Sequence, residues 1–529
     1  MKLESKILIK FASVICFGIL LIVLSKFILQ GFGSINHLPV SALNTFPGAQ
    51  IEKKLVIVIF AIFLSFFISS KITFYLIIFP IAFFSALYSP IASVYGAPDY
   101  QSVVSLLATN FSESFEFLSS IPVKQYGKSL LIIALAIACH LIGKKTEIKP
   151  WKNKTYVLLS CVFFVIALEP TLFVRKLCLA IEVTKEKLAE INKYSANSSW
   201  QSSERKGVPT DYILIIGESA RKDYFHTYGY PVSNTPFLDK NFSVKVDGMK
   251  AGGTYTIGSL TNMLTVPDKS KWSPRYDRSV IDLAKSAGIK TYWISNQGMV
   301  GEWDTPVSAI GKKADLSIFL NKGAYSEKNI SDFALLKPFK KILNAKSDQS
   351  RLIILHTLGS HSDACKRIID IADAYETDDK SLSYVACYVT SIKKADQFIE
   401  KVFNISQKEK AISGRPFSII YFSDHGNVHH AVENKILLNN NFPSKFHYDI
   451  PLIRIDSEIR GKCRELTSEK SGLNFTEGLG NWMGIQNSEL PKYDLFDGIN
   501  DSTDYGLKAK IKSIRTPEDP AIDLTGKLK

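Results

Sequence analysis

"DYILIIGES", residues 211–219, carries five apolar residues in succession, Tyr212 to Ile216, and stops at Gly217 before a carboxylate, Glu218. A strand with one wet face alternates polar and apolar residues, whereas a strand covered on both faces does not. Three later runs have the same character: KTYWIS at 290–295, RLIILH at 351–356 and FSIIYF at 417–422. Between them, SVIDLAKSAG and SYVACYVTSIKKADQFIEKVF show apolar residues at helical spacing. Covered strands alternating with helices predict an α/β domain with a mostly parallel sheet, spanning 208–529.

Chemistry in such sheets gathers at the carboxyl ends of the strands. Here IIGES ends on Glu218, LHTLGSH leads to His361, and YFSDHG ends on Asp424 and His425. Two carboxylates and an imidazole suit zinc in a four-coordinate set, with manganese as the competing ion. After Glu218 comes KAGGTYTIGSLTNMLT, residues 250–265, with hydroxyls at Thr254, Thr256, Ser259 and Thr261. A hydroxyl beside a divalent cation loses its proton more readily, and backbone amides of a glycine-rich turn entering a helix hold phosphate. Alone, the stretch reads as a loop with a threonine cap; beside the strand-end groups it reads as the source of a nucleophile.

The first third of the chain is different. The runs Phe11–Leu29, Leu55–Ser69, Thr73 to about Tyr95, Ser129–Gly143 and Tyr156–Val174 hold few charges and predict five transmembrane helices in a domain at 1–175. The first run is longer than the apolar core of a cleaved signal and lacks a small-residue cleavage site. Lys2, Lys6 and Lys10, then Lys71, then Lys144, Lys145, Lys149, Lys152 and Lys154 fall on alternate segments, which places them in the cytoplasm and everything after Val174 outside it. Lys53 and Lys54 run against this pattern. Residues 176–207 read as an interfacial amphipathic helix followed by the polar linker SANSSWQSSERKG.

With 46% hydrophobic residues and a slightly positive mean hydropathy, the 529-residue chain is more apolar than a soluble protein of its length. Its net charge of +14 belongs to membrane flanks and a basic outer face suited to anionic lipid, not to nucleic acid, which a domain outside the cytoplasm does not meet. Of seven cysteines, Cys16, Cys139 and Cys161 lie in apolar runs. Cys365 with Cys387 is the preferred bridge among the pairings the sequence leaves open outside the cytoplasm. His140 and Glu169 are scattered polar residues in the apolar part, too few for a transporter's charged pathway.

In order along the chain, GES followed by YGYPVSNTPFL, then GTYT, W-x-S-N-Q, LHTLGSH, ACYVTSIKKADQFI and FSDHG resemble the motifs of the phosphoethanolamine transferases of the Gram-negative inner membrane, within the alkaline phosphatase and sulfatase superfamily. The resemblance covers nearly the whole chain. It implies a multi-pass protein of the bacterial inner membrane with a sulfatase-like catalytic domain in the periplasm. The donor would be phosphatidylethanolamine, and the acceptor an envelope glycan or glycolipid such as lipid A, a core sugar or a periplasmic glucan.

Position by position, the resemblance implies that Thr256 is the nucleophile and a zinc ligand, with Glu218, Asp424 and His425 completing the site. His361 would stand beside the substrate phosphate, with Asn296 and Gln297 also on the substrate side. The chain departs from the lipid A enzymes in two places. No cysteines flank the nucleophile, where the sequence reads AGGT and TNML, and no second histidine follows DHG by a dozen residues, leaving His429, His430 and His447 as alternatives. A phosphoglycerol transferase is the nearest alternative activity. A sulfatase would need a Cys or Ser followed by Pro and Arg, which TYTIGSL lacks, and a membrane scaffold would have no use for the strand-end groups.

Overall fold

The computed structural model describes residues 2–33, 47–95, 121–145 and 198–529, apart from 298–305, 321–329, 433, 441–443 and 459–462, and a few more between 118 and 185. The chain divides into two compact units, Met1–Leu107 with Phe115–Lys185, and Ala108–Ser114 with Glu186–Lys529.

The first unit packs apolar helices: α1 (Lys2–Gly31), α2 (Pro47–Phe67), α3 (Lys71–Thr73 and Phe79–Tyr95, joined by a π-helical turn at Phe74–Ile78) and α4 (Val123–Lys145). Phe11–Gly31, Lys71–Ser93 and Val123–Lys145 are long and apolar enough to cross a membrane, while Lys54–Phe67 is a shorter apolar helix. The described residues thus hold three spans where five were expected. The second run is short, with Lys53 and Lys54 just ahead of it in the helix, and the fifth, Tyr156–Val174, falls almost wholly outside the described residues, as does much of the interfacial helix expected at 176–195. His140 is buried on α4, with Nδ1 2.5 Å from the Ile68 carbonyl and its ring centroid 4.0 Å from that of Phe74 at the π turn. Only a donating Nδ1 makes that contact, so this intramembrane histidine is a satisfied part of the packing.

The second unit is built on a mixed eight-stranded sheet. Its strands are β1 (Asp211–Gly217), β2 (Val244–Val246), β3 (Lys290–Ser295), β4 (Leu316–Phe319), β5 (Arg351–His356), β6 (Phe417–Ser423), β7 (Leu452–Asp456) and β8 (Arg464–Leu466). Their order is β8-β2-β7-β6-β1-β5-β3-β4. The four runs recognised in the sequence form a parallel centre, β6-β1-β5-β3, and β4 extends it. Strand β7 returns from the end where β6 finished, so it runs antiparallel to β6 and to β2.

Alternate residues of a strand point to opposite faces. On β1, Leu214 and Ile216 join one core with Leu352, Ile354, Ile420 and Phe422, while Ile213 and Ile215 join a second with Ile353, Leu355, Ile419 and Tyr421. Burial on both faces is why these runs show no polar alternation, and each such side chain contributes roughly 1.5–3 kcal/mol. The register then sets the site. Gly217 pairs with Ser423, and His356 pairs with both Ile216 and Ser295, so β1, β3, β5 and β6 end level. The residues that emerge together at that edge are Glu218, Asn296, Thr357 and Asp424.

Two helices complete the setting, α5 (Thr256–Met263) and the long α6 (Ser383–Ser413). Cys365 and Cys387 are joined by a disulfide that ties the segment after His361 to α6.

Candidate active site

Glu218 leaves the end of β1 almost fully buried, and Ser219 at once turns the chain with a left-handed φ of +58°. The LGSH loop after β5 closes over it from above. Gly359 has φ +48°, and a Cβ there would lie 2.9 Å from the Glu218 nitrogen, so glycine alone permits this approach. The loop is held from beneath by buried Asp332, which accepts from the backbone of Leu358 (2.8 Å) and Gly359 (3.0 Å).

Asp424 emerges beside Glu218 on β6. Its Oδ1 accepts from the backbone of Ser219 (2.8 Å) and His425 (2.7 Å), which aims the other oxygen, Oδ2, inward. That oxygen is buried and has no hydrogen-bond partner. His425 Nδ1 lies 2.8 Å from the Gly426 carbonyl, which can only accept, so Nδ1 carries the proton and Nε2 presents its lone pair. Nε2 faces Asp424 Oδ2 at 3.3 Å and Glu218 Oε1 at 3.6 Å. Ligand atoms of the three residues lie within 4.8 Å of one another.

Thr256, the first residue of α5, closes the group. Its Oγ1 stands 3.1 and 3.3 Å from the two oxygens of Glu218 and 3.4 Å from His425 Nε2. The other hydroxyls with described bonds point elsewhere: Ser259 to the Gly252 amide and the Asp424 carbonyl, Thr261 to the Ile257 carbonyl within the helix.

Electrostatically the cluster is short of positive charge. Burial, and then the neighbouring Asp424, push the Glu218 carboxyl up to about 7; burial raises Asp424 to about 6 and lowers His425. Lone pairs from four side chains converge, three of them on buried residues and the fourth on half-buried Thr256, and an orphaned carboxylate oxygen is among them. A divalent cation fits that arrangement, since it would satisfy every donor at once.

The remaining expected residues separate. Gln297 Nε2 donates to Glu218 Oε2 at 2.7 Å and to the Thr357 carbonyl at 3.1 Å, so it fixes the carboxylate. Asn296 turns away, donating to the Ile330 carbonyl (2.8 Å) and Asp332 Oδ1 (2.7 Å). His361 is half-buried on the LGSH loop, within electrostatic reach of Glu218, whose carboxylate its charge favours. His429 is engaged by Asp519 Oδ1 (2.6 Å) and the Tyr224 hydroxyl (2.5 Å), and His430 lies on a hairpin opposite Leu437. His447 is buried near His425 and reaches the same Gly426 carbonyl at 3.0 Å.

Sequence reasoning missed Asp332 and Arg221. Arg221 is fully buried, paired with Asp223 and Asp519, and lies against the DHG turn through the Asn427 carbonyl. A charged residue three positions past Glu218 was the available signal for Arg221; Asp332, alone in an ordinary stretch, offered none.

A family model described as sulfatase matches residues 210–485. A Haemophilus influenzae protein named "Putative phosphoethanolamine transferase" is 42% identical over 373 residues, covering 69% of this chain and 76% of its own length. Phosphoethanolamine transferase OpgE of Escherichia coli is 29% identical over 429 residues, covering 77% of this chain and 79% of its own. Among solved structures, the integral membrane protein lipooligosaccharide phosphoethanolamine transferase A of Neisseria meningitidis shares the fold, with a TM-score of 0.59 over 89% of this chain and 96% of its own at 18% identity.

Proposed function

Because the chain belongs to the phosphoethanolamine transferase family of the alkaline phosphatase and sulfatase superfamily, we propose that it takes phosphoethanolamine from phosphatidylethanolamine and passes it to an envelope glycan or glycolipid by way of an ester on Thr256. The observation that carries this reading is the convergence of Thr256 Oγ1 with Glu218, Asp424 and His425 at the level ends of β1 and β6.

Those four residues would hold zinc, with manganese as the alternative; the inward lone pair of His425 and the orphaned Asp424 oxygen support a metal here. When bound, the ion would ease ionisation of a neighbouring hydroxyl and offset charge on phosphoryl oxygens. Thr256 Oγ1 gives up its proton to solvent and attacks the donor phosphorus. The bond from phosphorus to the glyceryl oxygen breaks, and diacylglycerol leaves with a proton that His361 is suited to supply. An acceptor hydroxyl then attacks the Thr256 ester and passes its proton to the now neutral His361, which restores it, while the bond from phosphorus to Thr256 Oγ1 breaks and the threonine regains a proton from solvent. Gln297 holds Glu218 in orientation throughout, through its 2.7 Å bond.

We assign residues 1–175 to a five-helix domain of the bacterial inner membrane, 176–207 to an interfacial helix and linker, and 208–529 to a periplasmic catalytic domain. Such an anchor keeps the outer domain near the leaflet that holds the lipid donor.

The direct test is peptide mass spectrometry of the full chain incubated with phosphatidylethanolamine and no acceptor. A phosphoethanolamine mass should appear on Thr256 and vanish in Thr256→Ala. An adduct on Thr254 or Ser259, or normal turnover in the alanine variant, removes the nucleophile assignment. Mass spectrometry of lipid A, core oligosaccharide and glucans from cells with and without the protein identifies the acceptor.

A further inference from the structure

We infer that Ser259 is a positioning residue for the transfer, a strut that fixes α5 so that Thr256 faces the strand-end carboxylates; this rests on the reading of Thr256 as the nucleophile. Ser259 is fully buried, and its hydroxyl joins three segments of chain. Oγ donates to the Asp424 carbonyl at 2.6 Å and accepts from the Gly252 N–H at 3.1 Å. Met263 Sδ also lies 3.3 Å away, but a hydroxyl has one proton, and the carbonyl is the nearer and stronger acceptor.

Thr256 and Ser259 are three residues apart on α5 and share a helix face. Ser259 therefore grips the backbone of Asp424, the residue whose carboxylate belongs to the group that Thr256 meets. Any rotation or slide of α5 that carried Thr256 Oγ1 away from Glu218 would also break the 2.6 Å bond. A second bond joins the helix to the same loop one turn nearer its end, from Asn262 Nδ2 to the Gly252 carbonyl at 3.2 Å. The helix is eight residues long, and Tyr255 at its N-cap makes no side-chain cap bond.

The glycines of the loop make the strut reachable. A Cβ on Gly253 would lie 2.8 Å from the Gly258 carbonyl carbon and from the Ser259 nitrogen; one on Gly252 would lie 2.9 Å from the Ser259 carbonyl oxygen. On the other side, a Cβ on Gly472 would lie 2.5 Å from the Gly252 nitrogen. Loop and helix thus touch backbone to backbone, and the Gly252 amide comes within reach of Ser259. No disulfide braces this stretch, and the hydrogen-bonded seam takes that place.

The test uses the full-length protein with phosphatidylethanolamine as donor and follows formation of the Thr256 adduct. Ser259→Ala should slow adduct formation roughly 10- to 100-fold, the cost of a small misplacement of a reacting group. The donor KM and the bound metal should stay within about twofold of wild type. Thr261→Val, which removes a buried hydroxyl bonded only inside α5, should leave the rate unchanged. Ser259→Cys keeps the volume and a weak donor, and should fall between wild type and alanine; it decides the matter if the alanine variant does not fold. An unchanged adduct rate in a folded Ser259→Ala protein, or a loss confined to metal content or KM, overturns the inference while leaving Thr256 in its role. A wild-type chain that forms no adduct on Thr256 overturns both.

Discussion

Asp424 divides its two oxygens between tasks: one is held by two backbone amides, while the other has no partner. Replacing it with alanine removes a charged donor from a set already at its minimum, so metal content measured on the purified chain should drop sharply. Full occupancy in Asp424→Ala would move the metal to another place in the molecule. Which residues could be read from the sequence follows from the same geometry. Glu218, Asp424 and His425 stand directly after apolar strands, and a strand end announces itself. Asp332 and the strut role of Ser259 could not be read, because each works through partners distant in sequence: Asp332 holds loop amides 26 and 27 residues on, and Ser259 a carbonyl 165 residues on.

Strand β5 carries a titration that bears on stability. His356 is buried at its end, its ring against Trp293 and its Nδ1 3.2 Å from Ser295 Oγ, and burial lowers it from 6.5 to about 3. Above pH 6.5 the residue is neutral in both folded and unfolded chains and has no effect. As pH falls from there toward 3, the unfolded chain takes up a proton that the folded chain refuses, so stability declines by up to about 1.4 kcal/mol per pH unit. Denaturation of wild type and His356→Gln, each metal-loaded, should show stability falling more steeply below pH 6.5 in wild type; parallel curves would mean that the imidazole is solvated. The long covered strands were legible because continuous apolar runs have one physical cause. The short ones were not: β2 and β8 have three residues each, too few for any periodicity, and β7, which runs against its neighbours β6 and β2, makes the sheet mixed.

At the scale of the whole molecule, the proposed orientation rests on the lysine pattern. With five crossings, a reporter fused after residue 529 that works only outside the cytoplasm should be active, and an inactive fusion would change the helix count by one. Composition separated the apolar unit from the catalytic one with little ambiguity, since few charges and long runs leave a helix in lipid as the remaining choice. It was less able to fix the number of spans, because the charges at Glu52, Lys53 and Lys54 leave the apolar part of the second helix short.

The pairing of β1 with β6 brings together residues that are neighbours in space but 206 apart in the chain, 424 − 218. A polypeptide threaded out amino end first exposes Glu218 and Thr256 long before Asp424 and His425 arrive. With two of the four proposed ligands, the early half would hold an ion only weakly during synthesis. On the proposed ligand set and topology, metal loading would be a late step of biogenesis that draws on the supply where the finished domain folds, and scarcity of the ion there would leave protein that is inserted and inert.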